Sequence, residues 1–247
     1  MTQINLEISI SELTSNFDFT SDKKYRLIVI FGLLGDFDTF EYGINLAKNL
    51  KRKDYQKNLD VFAIAIGSAE GKKRFCKFTG FPEENLRIVS NNQIHNLVGA
   101  SNGLDIGMGG WINMFLMLLG IGSPKTINEV VRGYIGDRKA KDILKEGDII
   151  KIFNSISISG KLFSNTFGSG YLRPFELATI RLNNMIEIIN NWKSYILNTK
   201  YLPQRTATFL INNKNEIEYK YFSKDILNYS KNMSSPLEFL DELFKYD

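Results

Sequence analysis

Tyr25-Arg-Leu-Ile-Val-Ile-Phe-Gly-Leu33, running into Leu34-Gly-Asp-Phe-Asp-Thr-Phe-Glu-Tyr42, is the stretch on which the fold turns. The first part is a nearly continuous run of apolar and β-branched residues, the pattern of a strand buried on both faces. The second part opens a helical pattern through Leu50, with Phe40, Ile44, Leu46 and Leu50 broadly on one side. The turn between them, Gly35 to Thr39, carries Asp36 and Thr39 and no thiol. The chain's one cysteine is Cys76, far along the sequence.

Two further strand patterns follow. Asp60-Val-Phe-Ala-Ile-Ala-Ile66 ends at Gly67, and Leu86-Arg-Ile-Val89 is shorter. Between them Ser68 is placed to cap a helix with Glu70 in its first turn, and that helix should stop near Gly80 ahead of Pro82. The order β-α-β-α-β predicts parallel pairing with right-handed crossovers. Near the other end, Thr206–Ile211 and Glu216–Phe222 flank Asn212-Asn-Lys-Asn215 and predict an antiparallel hairpin. Ser235-Pro-Leu-Glu238 predicts a last helix with Pro236 at its first position.

The region 92–200 reads as a mainly helical insertion within a single domain spanning 1–247. The run 111–119 is apolar and helical, and Thr126-Ile-Asn-Glu129 has the form of a capping box. Residues 160–174 are rich in Gly, Ser and Phe and read as loop, and 174–197 reads as one long helix. Residues 1–24 read as a short leading segment.

Composition narrows the function. The chain has 247 residues, 43% hydrophobic and 23% charged, with a formal net charge of +4, ordinary for a globular protein. Lysines and arginines cluster at 48–53 and 72–77 with acidic residues close by, such as Asp54 and Glu70, which reads as a solvated face and not a nucleic-acid surface. One cysteine and one histidine leave no disulfide, no CxxC motif and no metal site built on Cys or His. The cysteine usage suits a reducing compartment, so a cytoplasmic protein is expected. No basic n-region precedes an apolar run at the N-terminus, and the longest apolar stretch falls short of the roughly 20 residues a membrane span needs. Gly120-Ile-Gly-Ser-Pro-Lys-Thr126 lacks the glycine spacing of a phosphate loop, and Gly107–Gly110 fails the dinucleotide pattern. No cofactor is expected.

Three stretches together carry a resemblance. They are Leu27–Glu41, Phe62–Gly67 through Phe75-Cys-Lys-Phe-Thr-Gly-Phe-Pro82, and Arg205-Thr-Ala-Thr-Phe-Leu-Ile-Asn-Asn-Lys-Asn-Glu-Ile-Glu-Tyr219. In this order the chain resembles the peroxiredoxin-like branch of the alkyl hydroperoxide reductase/thiol-specific antioxidant (AhpC/TSA) family. The resemblance implies an α/β, thioredoxin-like fold, with a mixed central sheet flanked by helices and a large helical insertion. It also implies a Cys-x-x-Cys or threonine-and-cysteine motif in the first loop. Asp36 and Thr39 stand at those two positions, and neither can form a sulfenic acid. Arg205 matches the family's active-site arginine, which holds a peroxide oxygen near the thiolate.

Two functional expectations follow. The first is a degenerate scaffold, with Gly35, Asp36 and Thr39 in the old active-site loop. There Arg205 either anchors a carboxylate such as Asp36 or binds an anion, and a small molecule or protein partner docks at the site. The second is a thiol-dependent peroxide reductase acting through Cys76, with Lys72 and Lys73 on the same helical face lowering its pKa. Without that activation Cys76 is a packing residue. Asp36, Asp38 and Glu41 favour the first helix's N-terminus as charges, or form part of a weak metal or acid/base site. His95 is expected as a helix cap or surface residue.

Overall fold

A computed structural model of the chain describes residues 23–152 and 156–244. The leading segment expected at 1–24 lies, up to residue 22, outside the described residues.

Strand β1 (Tyr25–Leu33) is buried along almost its whole length. That follows from its position at the centre of a five-stranded sheet of order β3-β2-β1-β6-β7. β2 (Leu59–Ile66) pairs with it in parallel and β3 (Leu86–Val89) continues the parallel half. β6 (Ala207–Asn212) pairs with the other side of β1 in antiparallel register, and β7 (Ile217–Phe222) completes the hairpin. This is the mixed central sheet expected from the sequence.

Alternation along β1 assigns its two faces. Leu27, Val29 and Phe31 join the larger core with Phe40 and Tyr42 of α1 (Phe37–Asn49) and Phe75 of α3 (Ala69–Thr79). Ile28 and Ile30 point the other way, toward Ile64, Phe209 and Val98 at the end of α4 (Gln93–Val98). The sheet is therefore covered on both faces, as a parallel half requires. Ser68 caps α3 by accepting from the Gly71 amide (2.9 Å), and Gly80 ends it at φ 75°. A short helix that the sequence reading omitted, α2 (Lys53–Asn58), leads into β2.

The insertion departs from expectation in several places. Helix α5 (Gly110–Leu118) is where the apolar run placed it. Helix α6 (Lys125–Ile135) starts before Thr126, so the capping-box reading was offset. The Thr126 hydroxyl instead meets Ser123 Oγ (2.6 Å) and donates to the Ile226 carbonyl (3.0 Å), while Asp225 Oδ1 accepts from the Lys125 amide (3.1 Å). A carboxylate 100 residues away supplies the cap. Strands β4 (Ile149–Ile152) and β5 (Ile156–Ser159) form a small antiparallel pair. Residues 160–167, expected as loop, are helix α7 (Gly160–Phe167), capped by Ser159. Gly160 serves close approach there, since a Cβ would sit 1.9 Å from the Lys145 carbonyl oxygen. The long helical pattern is α8 (Glu176–Asn190) followed by the separate turn α9 (Trp192–Tyr195). The last helix, α10 (Glu238–Leu243), begins two residues after Pro236, which lies in the preceding turn. Ile188, Tyr195, Ile196, Tyr201 and Leu202 pack into the same core as β1 and α1.

Candidate functional site

The turn after β1 delivers Asp36 and Asp38 to one guanidinium. Arg205 lies just before β6, and the antiparallel pairing of β6 with β1 brings it to the turn. Its Nη1 donates to Asp38 Oδ2 (3.0 Å) and its Nη2 lies 3.4 Å from Asp36 Oδ1. Nε donates to the Pro203 carbonyl (2.7 Å) and Nη2 also to that of Leu202 (3.1 Å). The side chain has no exposed surface. Its donors are committed to groups of its own chain.

The surroundings are closed as well as charged. Asp38 and Thr39 are fully buried and Asp36 nearly so. A Cβ on Gly35 would lie 2.4 Å from Ile196 Cδ1, so residues 195–196 press directly on the turn. From the other side, Ser101 O accepts from the Arg205 amide (2.9 Å) and from Gln204 Nε2 (2.8 Å). Gly103 approaches so near to Pro203 that a Cβ would stand 2.1 Å from its carbonyl oxygen. The insertion thus seals the loop. Asp36 Oδ2, Asp38 Oδ1, Thr39 Oγ1 and the neighbouring Thr206 Oγ1 are buried without a hydrogen-bond partner among the described residues.

Two carboxyls facing one cation in a dry site cannot both ionise readily. Burial raises the pKa of Asp36, with Arg205 opposing. Asp38 rises well above the usual carboxylate range: burial is the main cause and the Asp36 charge the next. Asp38 is nearer to Arg205 than Asp36 is, yet it is the more perturbed, because its burial and the Asp36 charge outweigh the arginine, and Glu41 adds to the rise. It is the carboxyl that keeps its proton to the higher pH.

Glu41, third of the acidic trio, goes elsewhere. Arg181 of α8 donates to it through Nε (2.7 Å) and Nη2 (3.2 Å), and through Nη1 to the Glu129 carbonyl (2.7 Å). Arg132 in turn holds Glu129 through Nε (2.8 Å). The trio therefore serves ion pairs to distant arginines and not only the helix terminus. Arg181 had no sequence signal, since it sits among the apolar positions of a helix 140 residues from its partner. Among the described residues no group of three or more His, Cys, Asp and Glu is placed to hold a metal ion.

Cys76 lies within α3, 8% exposed, in the larger core. Burial works against the expected activation by lysine. Burial pushes the thiol up to about 11, Glu83 adds to the rise, and Lys72 opposes it only weakly. The surface placement expected for His95 is corrected: it is fully buried, with Nε2 2.6 Å from the Phe31 carbonyl oxygen and Nδ1 without a partner among the described residues. Burial lowers its pKa to about 4, so the ring is neutral and Nε2 donates.

Beside the closed turn runs an open one. A cleft of about 400 Å³ is lined by Phe37, between the two aspartates, and by Val130, Tyr134, Phe175, Leu182 and Leu227. Its charged wall is Arg181, already committed to Glu41 and Glu129.

The family model of the AhpC/TSA antioxidant enzyme matches residues 45–225. The chain belongs to the AhpC/TSA family. The thioredoxin-like fold of that family is the fold described above. The AhpC/TSA match begins beyond the turn at Gly35–Thr39 and takes in both Cys76 and Arg205, so membership does not rest on the altered loop. Neither a curated protein nor a solved structure matches the chain. No helix among the described residues is long and apolar enough to cross a membrane.

Proposed function

We propose that this AhpC/TSA protein is a non-catalytic binding module built on a peroxidase scaffold. The observation that carries the reading is the grip of Arg205 on Asp38 and Asp36. An arginine at this position should hold a peroxide oxygen beside a thiolate. Here it holds two carboxyls that cannot be oxidised, in a site closed to solvent. The partner, a small molecule or a protein segment, is then met by the cleft next to the turn, whose apolar lining and size suit such a ligand. A cytoplasmic setting agrees with a lone thiol.

The competing reading makes Cys76 a peroxidase. Its thiolate would attack the O–O bond, become a sulfenic acid and release an alcohol, and an external thiol would restore it. A pKa near 11 leaves roughly one thiolate in ten thousand at neutral pH, which argues against it. The test is consumption of hydrogen peroxide and of cumene hydroperoxide with dithiothreitol, by wild type and Cys76→Ser. Equal rates at the protein-free background are expected. Turnover that vanishes in the serine variant would establish the peroxidase instead.

A further inference from the structure

Two consecutive helices of the insertion carry apolar stripes that stay about half exposed, although Trp111 stacks on Trp192 and Tyr134 meets Phe175 edge-on. On α5 and the residue that caps its end, Trp111, Ile112, Phe115 and Leu119 recur at helical spacing, and all are 40–59% exposed. On α6, Ile127, Val131, Tyr134 and Ile135 do the same at 45–67%. The stripes meet where Ile127 Cδ1 reaches within 2.8 Å of where a Cβ on Gly120 would stand. About half exposed, these eight side chains present on the order of 800 Å² of mostly apolar surface, the share one partner gives to a standard interface. A patch of this size is uncommon on a protein that works alone.

From this we infer that the chain self-associates through the α5–α6 face as a two-fold dimer. Charge decides between occupants. Residues 106–124 contain no charged side chain, and on α6 Glu129 and Arg132 turn inward to each other and to Arg181. An isologous contact sets the patch against itself, so any charge of one sign at its centre would meet its own kind. A face without charge has no such conflict. It also offers a charged partner nothing to recognise. A bilayer surface is served by amphipathic helices with Lys and Arg along the polar side, and α5 has none. The inference stands independently of whether Cys76 reacts, because it uses neither the turn nor the thiol.

Sedimentation equilibrium of the full chain between about 1 and 100 μM tests it. Wild type should fit a monomer–dimer equilibrium. Phe115→Glu and Ile135→Glu, both at exposed positions, should weaken it about 30-fold or more with far-UV circular dichroism unchanged. Leu162→Glu, an exposed apolar site on α7, should leave association intact. A wild type that stays monomeric throughout overturns the inference. So does a dimer that survives both glutamate variants, or a monomer that co-floats with phosphatidylcholine/phosphatidylglycerol vesicles.

Discussion

Asp38 is held where a carboxylate has little reason to be charged: it has no exposed surface, Asp36 and Glu41 bear on it, and Oδ1 has no hydrogen-bond partner among the described residues. Its pKa in the folded protein is raised, so between the unfolded value of 3.8 and that raised value the folded state binds the extra proton. The Asp38 contribution to stability is therefore full below 3.8 and is lost as pH rises through the folded pKa, at up to about 1.4 kcal/mol per pH unit. Asp38→Asn keeps the shape and an acceptor for Arg205 but has no proton to lose. Measured by urea unfolding between pH 4.5 and 7.5, the stability difference should move steadily in the variant's favour as pH rises. A difference that stays flat across that range would show Asp38 ionising normally.

At the level of elements, the apolar runs of β1, β2 and β3 and the hairpin around 212–215 were legible because buried strands write themselves in consecutive side chains. The helical insertion was only partly so. Gly160 looked like a loop residue, but it is a helix residue forced to be small by the Lys145 carbonyl. Thr126 had the pattern of a cap, while the helix is capped from Asp225. Pairings such as Glu41 with Arg181 depend on how helices cross and leave no local trace. His95 is the same kind of case. The ladder between β1 and β2 is irregular between Ile30 and Leu33, and the Phe31 carbonyl there takes its hydrogen bond from His95 of α4. Burial holds the ring neutral, against the pull of this bond toward the charged form. The folded pKa of about 4 lies below the ordinary 6.5, so the stabilisation is full above pH 6.5 and is lost as pH falls toward 4, by about 3 kcal/mol in all. His95→Gln retains a donor without the titration. Its stability, followed by thermal melting from pH 7 to pH 4, should lack this acid-side loss. An equal loss in both proteins would place the titrating group elsewhere.

For the whole molecule the question is whether the insertion folds with the sheet or beside it. Ile188, Tyr195, Ile196 and Leu202 share a core with Phe31 and Phe40, and Tyr229 and Leu240 from the end of the chain join them. The ion-pair chain Glu41–Arg181–Glu129–Arg132–Asp137 runs from α1 through α8 and α6, and Ser234 Oγ donates to Asp137 Oδ2 (2.5 Å) beyond it. Arg181 is the member that ties Glu41 of α1 to the rest of the chain, and it is 12% exposed. Removing that charge strands Glu41, because Glu129 keeps Arg132 while Glu41 keeps, among the described residues, the Tyr229 hydroxyl at 3.3 Å. A buried carboxylate left without its cation costs about 3–5 kcal/mol. We predict that Arg181→Leu lowers the urea midpoint accordingly, yet keeps a single transition with an unchanged slope, because one core cannot melt in halves. Tryptophan fluorescence reports the insertion through Trp111 and Trp192, which stack at 4.9 Å, and far-UV circular dichroism reports the entire chain. Coincident curves from the two probes are the expected result. If the tryptophan signal is lost at lower urea than the circular dichroism, the helical region 92–200 is a unit of its own, and the assignment of the chain to one domain fails.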